Sequence, residues 1–305
     1  MPDHRADEHA ALVALLRSLP KGARWNTVTE QLLERGSAVD VWTAEEADAL
    51  LARPERAELL AQAAADVARW RDQGRCLVGI LDDDYPARLR DVHQAPPFLF
   101  AAGQLVADDP AIAVVGSRRA TPRSLEIAST VATELVKEGV TVLSGLADGV
   151  DGAAHRAALD AGGRTVAVIG TGIDRTYPAV NRELQHKIAA HGLVLSQFWP
   201  DAPPQPHNFI MRNAVMSGYG RATVVVQAGE HSGARAQARM AVEHGRPVIL
   251  TDQVVADTEW AKHLQGRPGV HVASSLAEVM DQVRSALNQD REVDALLAEL
   301  AGSML

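Results

Sequence analysis

Ile112-Ala113-Val114-Val115-Gly116-Ser117-Arg118-Arg119-Ala120-Thr121-Pro122-Arg123 is the stretch that decides the fold of this chain. Its first four residues are apolar without alternation, as in a strand covered on both faces, and a glycine turn ends the run. Pro122 then stands where the first turn of a helix tolerates a residue with no N–H. The same sequence of events recurs. Thr141-Val142-Leu143 is followed by Ser144-Gly145-Leu146-Ala147, and Thr165-Val166-Ala167-Val168-Ile169 by Gly170-Thr171-Gly172. Leu193-Val194-Leu195 leads into Ser196-Gln197-Phe198, Ala222-Thr223-Val224-Val225-Val226 into Ala228-Gly229-Glu230, and Pro247-Val248-Ile249-Leu250 closes the series. Each interval holds one helix, so the runs read as parallel strands joined by crossovers: an α/β chain with an extended Rossmann-like, doubly wound, mostly parallel sheet. In that architecture the turns after the strands gather along one crevice, where ligands bind.

Helices are expected over 122–137, 150–160, 181–190, 208–219 and 234–244, then a strand at 269–273 and a closing helix at 275–287. Residues 1–74 have a different texture, with helical spacing over 8–18, 28–33, 44–51 and 55–70, and read as a small helical module. Residues 75–110, with Asp84-Tyr85-Pro86 and Ala95-Pro96-Pro97, read as an extended connector that packs on the sheet and adds an edge strand. The sheet domain spans 111–289, its boundary falling near Gly103 to Pro110, and 290–305 reads as a short amphipathic C-terminal helix.

The chain has 305 residues, 47% hydrophobic and 23% charged, with a formal net charge of -9. No run suits a membrane span and no secretory leader precedes the first helix, so a cytoplasmic location is expected. The single cysteine, Cys76, excludes an internal disulfide and reads as a small buried hydrophobe. Eleven histidines lie scattered without paired ligand spacing, and no motif calls for a metal or a cofactor. Overall acidity argues mildly against a polyanionic partner, but phosphate responds to the local field of a groove, and the basic charge here is arginine gathered at the sheet edge.

Gly116-Ser117-Arg118-Arg119, with Arg123 behind, offers a tight turn, amides at a helix N-terminus and guanidinium forks: an anion nest. It lacks the Gly-x-Gly-x-x-Gly dinucleotide fingerprint. Ser144 and Gly145 open a second loop, in which Asp151 reads as a helix cap and His155, on the same helical face, as a packing residue ahead of a general base. Gly170, Thr171 and Gly172 allow close approach of a ligand to the backbone. Asn208, Arg212 and Asn213 lie on the fourth helix, and Gly229, Ser232, Gly233 and Arg235 form another helix-start nest. Arg239 adds a further cation. Tyr177, Phe198, Trp199, Phe209 and Tyr219 are the aromatic faces available at this edge.

The ordered series Asp84-Tyr85-Pro86, Val115-Gly116-Ser117-Arg118, Ser144-Gly145-Leu146-Ala147 with Gly149-Val150-Asp151, Gly170-Thr171-Gly172, Tyr177-Pro178, Asn208-Phe209 with Arg212-Asn213, and Gly229 with Ser232-Gly233 resembles the DNA-processing proteins called DprA or Smf. The resemblance implies a sterile-alpha-motif-like helical module ahead of the Rossmann-like fold. It also implies a homodimer that binds single-stranded DNA without catalysis and helps load the recombinase RecA during uptake of transforming DNA. The chain departs from the family pattern at Asp148, Met211, Ala214, Gln227 and Ala234, where the family usually has a basic or neutral residue, arginine, arginine, glutamate and serine; the two lost arginines and the added aspartate weaken attraction to a polyanion at the crevice. The winged-helix module of many members has no counterpart in the short tail. An alternative is a sensor or hydrolase of a small phosphorylated nucleotide, for which Glu230 is the nearest acid. A third is a scaffold that only self-associates.

Overall fold

The computed structural model describes residues 4–20, 22–23, 25–44 and 53–303. Four helices come first: α1 (His4–Ser18), α2 (Asn26–Arg35), α3 (Ala38–Ala44) and α4 (Arg53–Asp72). Three of them match the expected segments. The helix expected over 44–51 falls almost wholly outside the described residues. α3 was not anticipated; Ser37 starts it, its hydroxyl accepting from the Asp40 amide at 3.1 Å and donating to Glu8 of α1 at 2.7 Å.

The connector supplies two strands rather than one, β1 (Cys76–Gly79) and, beyond the short helix α5 (Ala87–Arg90), β2 (Phe98–Gly103). The sheet domain then runs β3 (Ala111–Gly116), α6 (Pro122–Lys137), β4 (Thr141–Ser144), α7 (Val150–Asp160), β5 (Thr165–Val168), α8 (Arg182–His191), β6 (Leu193–Ser196), α9 (Pro206–Tyr219), β7 (Ala222–Gln227), α10 (Gly233–Glu243) and β8 (Val248–Thr251). Two short helices, α11 (Asp252–Asp257) and α12 (Glu259–Leu264), precede β9 (Val270–Ala273). The closing helix and the tail are not separate: α13 is continuous from Leu276 to Ser303.

The strands form one sheet in the order β1-β2-β6-β5-β4-β3-β7-β8-β9. Only β1 with β2 and β2 with β6 pair antiparallel; the rest are parallel. From β3 the chain winds outward through β4, β5 and β6, then returns to the other side of β3 for β7, β8 and β9. The crevice between the ends of β3 and β7 is therefore the topological switch point.

The two-faced burial read from the apolar runs is visible in β3. Ala111, Ala113 and Val115 join the core cluster that includes α9, α10 and the N-terminal helices, while Ile112 and Val114 join the one formed with α6, α7 and α13. A buried valine or isoleucine among them contributes about 1.5–3 kcal/mol by leaving water, an alanine less. The N-terminal helices meet the sheet through an aromatic seam: Trp199, after β6, stacks on Phe98 at 4.8 Å and on Trp70 at 5.9 Å, with Trp25 against Phe98 at 5.2 Å.

Asp109, just before β3, is a second tie. Buried to 4% exposure, it accepts hydrogen bonds from Arg164 Nε at 2.8 Å, from the Tyr219 hydroxyl at 2.8 Å and from the Thr141 hydroxyl. It thereby joins the starts of β4 and β5 to the end of α9. Cys76 corrects an expectation: it is exposed at the start of edge strand β1, and partial burial raises its thiol pKa, leaving it in the unreactive protonated form. No helix among the described residues is long and apolar enough to cross a membrane.

Candidate functional site

Four of the segments singled out in the sequence line one cavity of about 400 Å³ at the switch point. The β3–α6 loop contributes Gly116, Ser117, Arg118 and Arg119; α9 contributes Phe209, Arg212 and Asn213; the start of α10 contributes Ser232, Gly233 and Gln237; α7 contributes Asp151. Three guanidinium groups thus face one carboxylate. Arg118 and Arg119 are exposed and form no ion pair among the described residues.

The β3–α6 loop is shaped by its own hydrogen bonds. Ser117 Oγ accepts from the Arg119 amide at 3.1 Å, and Thr121 caps α6 by accepting from the Ser124 amide at 3.2 Å. Gln227, one of the departures from the family pattern, supports the loop through its Oε1, which accepts from the Thr121 amide at 3.0 Å. Gly116 packs against the Val150 side chain so closely that a Cβ would sit 2.6 Å from it. The Arg118 guanidinium lies 5.3 Å from the centre of the Phe209 ring, and Phe209 meets Tyr177 at 5.5 Å. Cation and rings form one surface at the cavity mouth.

Across the cavity, Ser232 caps α10, its hydroxyl accepting from the Arg235 amide at 3.3 Å. The first amides of α10 have no partner within the helix and carry the positive end of its dipole. Gly233 has open space around it, leaving that helix start accessible.

Several expected ligand residues are floor rather than lining. Ser144 is fully buried and donates to the Val114 carbonyl at 2.6 Å. The Gly145 amide donates to Asp151 Oδ2 at 3.1 Å, and any side chain at 145 would occupy the space of the Arg212 guanidinium. Asp151 does not cap α7, whose N-cap is Gly149; it holds the preceding loop by its amides, with Ala147 donating at 3.4 Å. Burial raises the Asp151 pKa, opposed by the charge of Arg212.

Gly170 lies under the Phe209 ring, Thr171 is 1% exposed, and the Gly172 amide donates to the Ala202 carbonyl at 2.9 Å. Asn208 is buried near Pro203. Arg123 lies instead in a neighbouring cleft with Asp252 and Ser274. Gly229 is exposed and its carbonyl accepts from Trp260 Nε1 at 3.3 Å, while Arg235 turns to the Glu230 carbonyl at 2.8 Å and lines, with Arg239 and Arg267, a groove between α10 and α12. Small residues at strand ends were read as openings for a ligand; here most of them admit a neighbouring side chain of the protein itself.

Arg212 lines the cavity but is largely enclosed. It is 6% exposed and its Nη1 donates to the Val168 carbonyl at 2.8 Å, so it braces β5 from α9. Of the five aromatic candidates only Phe209 lines the cavity, with Tyr177 against its ring; Trp199 packs toward the N-terminal helices, Phe198 is buried, and Tyr219 is tied to Asp109. His155 packs as expected. It is fully buried, its Nδ1 is 2.7 Å from Thr165 Oγ1, and desolvation, reinforced by Arg156 and Arg212, lowers its pKa to about 3. Sequence reading missed Gln237, which carries no motif signal beyond its position one helical turn below Gly233.

A family model described as DNA recombination-mediator protein A matches residues 76–289. The chain belongs to this family. It is 40% identical to the DNA processing protein DprA of Streptococcus pneumoniae (strain ATCC BAA-255 / R6) over 179 residues, 58% of this chain and 63% of that protein. It is 36% identical to the DprA of Bacillus subtilis (strain 168) over 185 residues, 60% of this chain and 62% of that protein. The chain thus matches about three fifths of the length of these two relatives. Among solved structures, the X-ray structure of DprA from Streptococcus pneumoniae aligns with a TM-score of 0.67 at 29% identity, covering 91% of this chain and 95% of that one. The DNA processing protein A of Helicobacter pylori, described for its unique single-stranded DNA binding mode, aligns with a TM-score of 0.62 at 25% identity over 70% of this chain and 96% of that one.

Proposed function

We propose that this recombination mediator holds single-stranded DNA at the switch-point cavity and is not itself an enzyme. The observation that carries the reading is the opposition of Arg118 and Arg119 to the capped start of α10 across one cavity. Sugar-phosphate suits both walls: guanidinium forks on one side, helix amides on the other. Phe209 and Tyr177 offer stacking faces at the mouth, and every base has a face to stack. The family assignment and the Helicobacter pylori relative support the same ligand. In this reading the protein acts in the cytoplasm as a homodimer, protects incoming single strands during natural transformation and passes them to RecA.

A small phosphorylated nucleotide would suit the same cavity by size. Hydrolysis of one would require an acid at the glycine turns. Glu230, the acid that reading names, has its Oε1 2.5 Å from the Glu259 amide, as an anchor for α12. Anisotropy titration of a fluorescent single-stranded oligonucleotide at several salt concentrations tests the proposal. Arg118→Ala is expected to weaken binding and to reduce the slope of log affinity against log salt by about 0.7, the loss of one phosphate contact. Equal binding by wild type and variant removes Arg118 from the contact, and binding of mononucleotides in preference to oligonucleotides favours the small-ligand reading.

A further inference from the structure

A groove of about 430 Å³ lies between α10 and α12, on a different face of α10 from the one that lines the switch-point cavity. Arg235 and Arg239 stand one helical turn apart on α10, and Arg267, beyond the end of α12, completes the rim. Val242 and Leu264, both partly buried, supply the apolar surface between them. One carboxylate, that of Glu243, enters the groove, 3.6 Å from Arg239. Arg235 directs Nη1 to the Glu230 carbonyl, and neither Arg235 nor Arg267 has an ion-pair partner among the described residues. The nearby acids are committed elsewhere: Glu259 pairs with Lys262 at 2.7 Å, and Glu230 accepts from the Glu259 amide. On a chain of net charge -9, three guanidinium groups against one carboxylate reverse the sign of the surface locally.

The chemistry selects among anionic partners. Single-stranded nucleic acid is held through ring faces as well as phosphate. Trp260 is 7% exposed with its Nε1 donating to the Gly229 carbonyl, which leaves His263 as the exposed ring of the groove. A continuous phosphodiester would also run into Glu243. A peptide spaces its carboxylates and sets apolar side chains between them, the same alternation of arginine fork and aliphatic surface that the groove presents. We propose that the α10–α12 groove docks an acidic peptide segment of a partner protein, its carboxylates on Arg235, Arg239 and Arg267 and an aliphatic side chain on Val242 and Leu264. The inference goes beyond the single-stranded DNA reading and stands apart from it.

The probe is a short fluorescein-labelled peptide of aspartate and glutamate around a pair of leucines, titrated by anisotropy against the full chain. One control peptide carries asparagine and glutamine in place of the acids, the other serine in place of the leucines. Wild type is expected to bind each control at least about tenfold more weakly than the acidic peptide. Arg267→Glu, at an exposed position, is expected to melt with wild type and to lower affinity for the acidic peptide at least about tenfold, because it sets carboxylate against carboxylate. Arg239→Gln, of similar length, is expected to lose about threefold. Arg267→Glu is expected to bind a labelled single-stranded oligonucleotide as wild type does, and Arg118→Ala to bind the peptide as wild type does. No binding of the acidic peptide by wild type overturns the inference, as does equal affinity for either control or equal binding by both groove variants. Loss of oligonucleotide binding in Arg267→Glu also overturns it, since the groove then belongs to the path of the strand. A change of self-association in sedimentation velocity with Arg267→Glu overturns it in favour of a second copy of this chain. Oligonucleotide binding by wild type, measured alongside, decides the DNA reading separately.

Discussion

Gly149 shows how a residue outside the cavity lining sets the site. Its backbone has φ 77° and ψ −125°, a region that L residues rarely enter, and a Cβ there would overlap the carbonyls of Ser117 and Arg118. Gly149→Ala is expected to cost at least about 2 kcal/mol in urea unfolding and to weaken oligonucleotide binding by displacing the Arg118 backbone. His155 has a different consequence. With its pKa at about 3 it is neutral in the folded protein, whereas in the unfolded chain it takes up a proton near 6.5. Between those values the unfolded state binds more protons, so stability rises with pH; its contribution is present above about pH 6.5 and is lost as pH falls toward 3. Urea unfolding between about pH 6.5 and 4 should show His155→Leu with a slope shallower by up to about 1.4 kcal/mol per pH unit. At this scale the sequence was legible where a residue type has one use. Arg118 after a strand–glycine turn and Ser232 before a helix belong to that class. Ser144, Gly145 and Gly170 do not, because a small residue at a strand end admits a ligand or a neighbouring Arg212 or Phe209 equally well.

Among the elements, the parallel strands and their helices could be read because their periodicity reports burial directly: β3 sends alternate residues to two cores and so has no polar face. The short helices α11 and α12, at six residues each, carry too few turns for a periodic signal. α13 was divided in two because the polar stretch Asn288-Gln289-Asp290-Arg291 resembles a boundary, although nothing in it breaks a helix. β1 and β2 were blurred by the prolines around them, and the antiparallel partner of β2 is β6, nearly a hundred residues away in the chain. Asp109, just before β3, ties the starts of β4 and β5 to the end of α9. Asp109→Ala removes the acceptor shared by Arg164, Tyr219 and Thr141 and is expected to destabilise the protein by about 3 kcal/mol in urea unfolding, without changing the salt dependence of DNA binding.

For the whole molecule, the net charge of -9 and a cationic cavity are compatible because screening confines each charge to its neighbourhood. Asp148 and Met211, both exposed near the cavity, thin the positive field there, and binding should be strongest at low ionic strength. Family membership could be read because it rests on an ordered series of turns, each fixed by backbone geometry. The self-association and recombinase contacts in the proposed function have no such local signature; they depend on surface shape that no spacing rule encodes. Finally, three of the five tryptophans bear on the contact between the N-terminal helices and the sheet: Trp25, Trp70 and Trp199. None of the five lines the switch-point cavity. Intrinsic emission is therefore a gauge of whether these two parts remain joined and is nearly silent to what the cavity holds, so a single unlabelled sample can be monitored for integrity while a labelled strand reports occupancy.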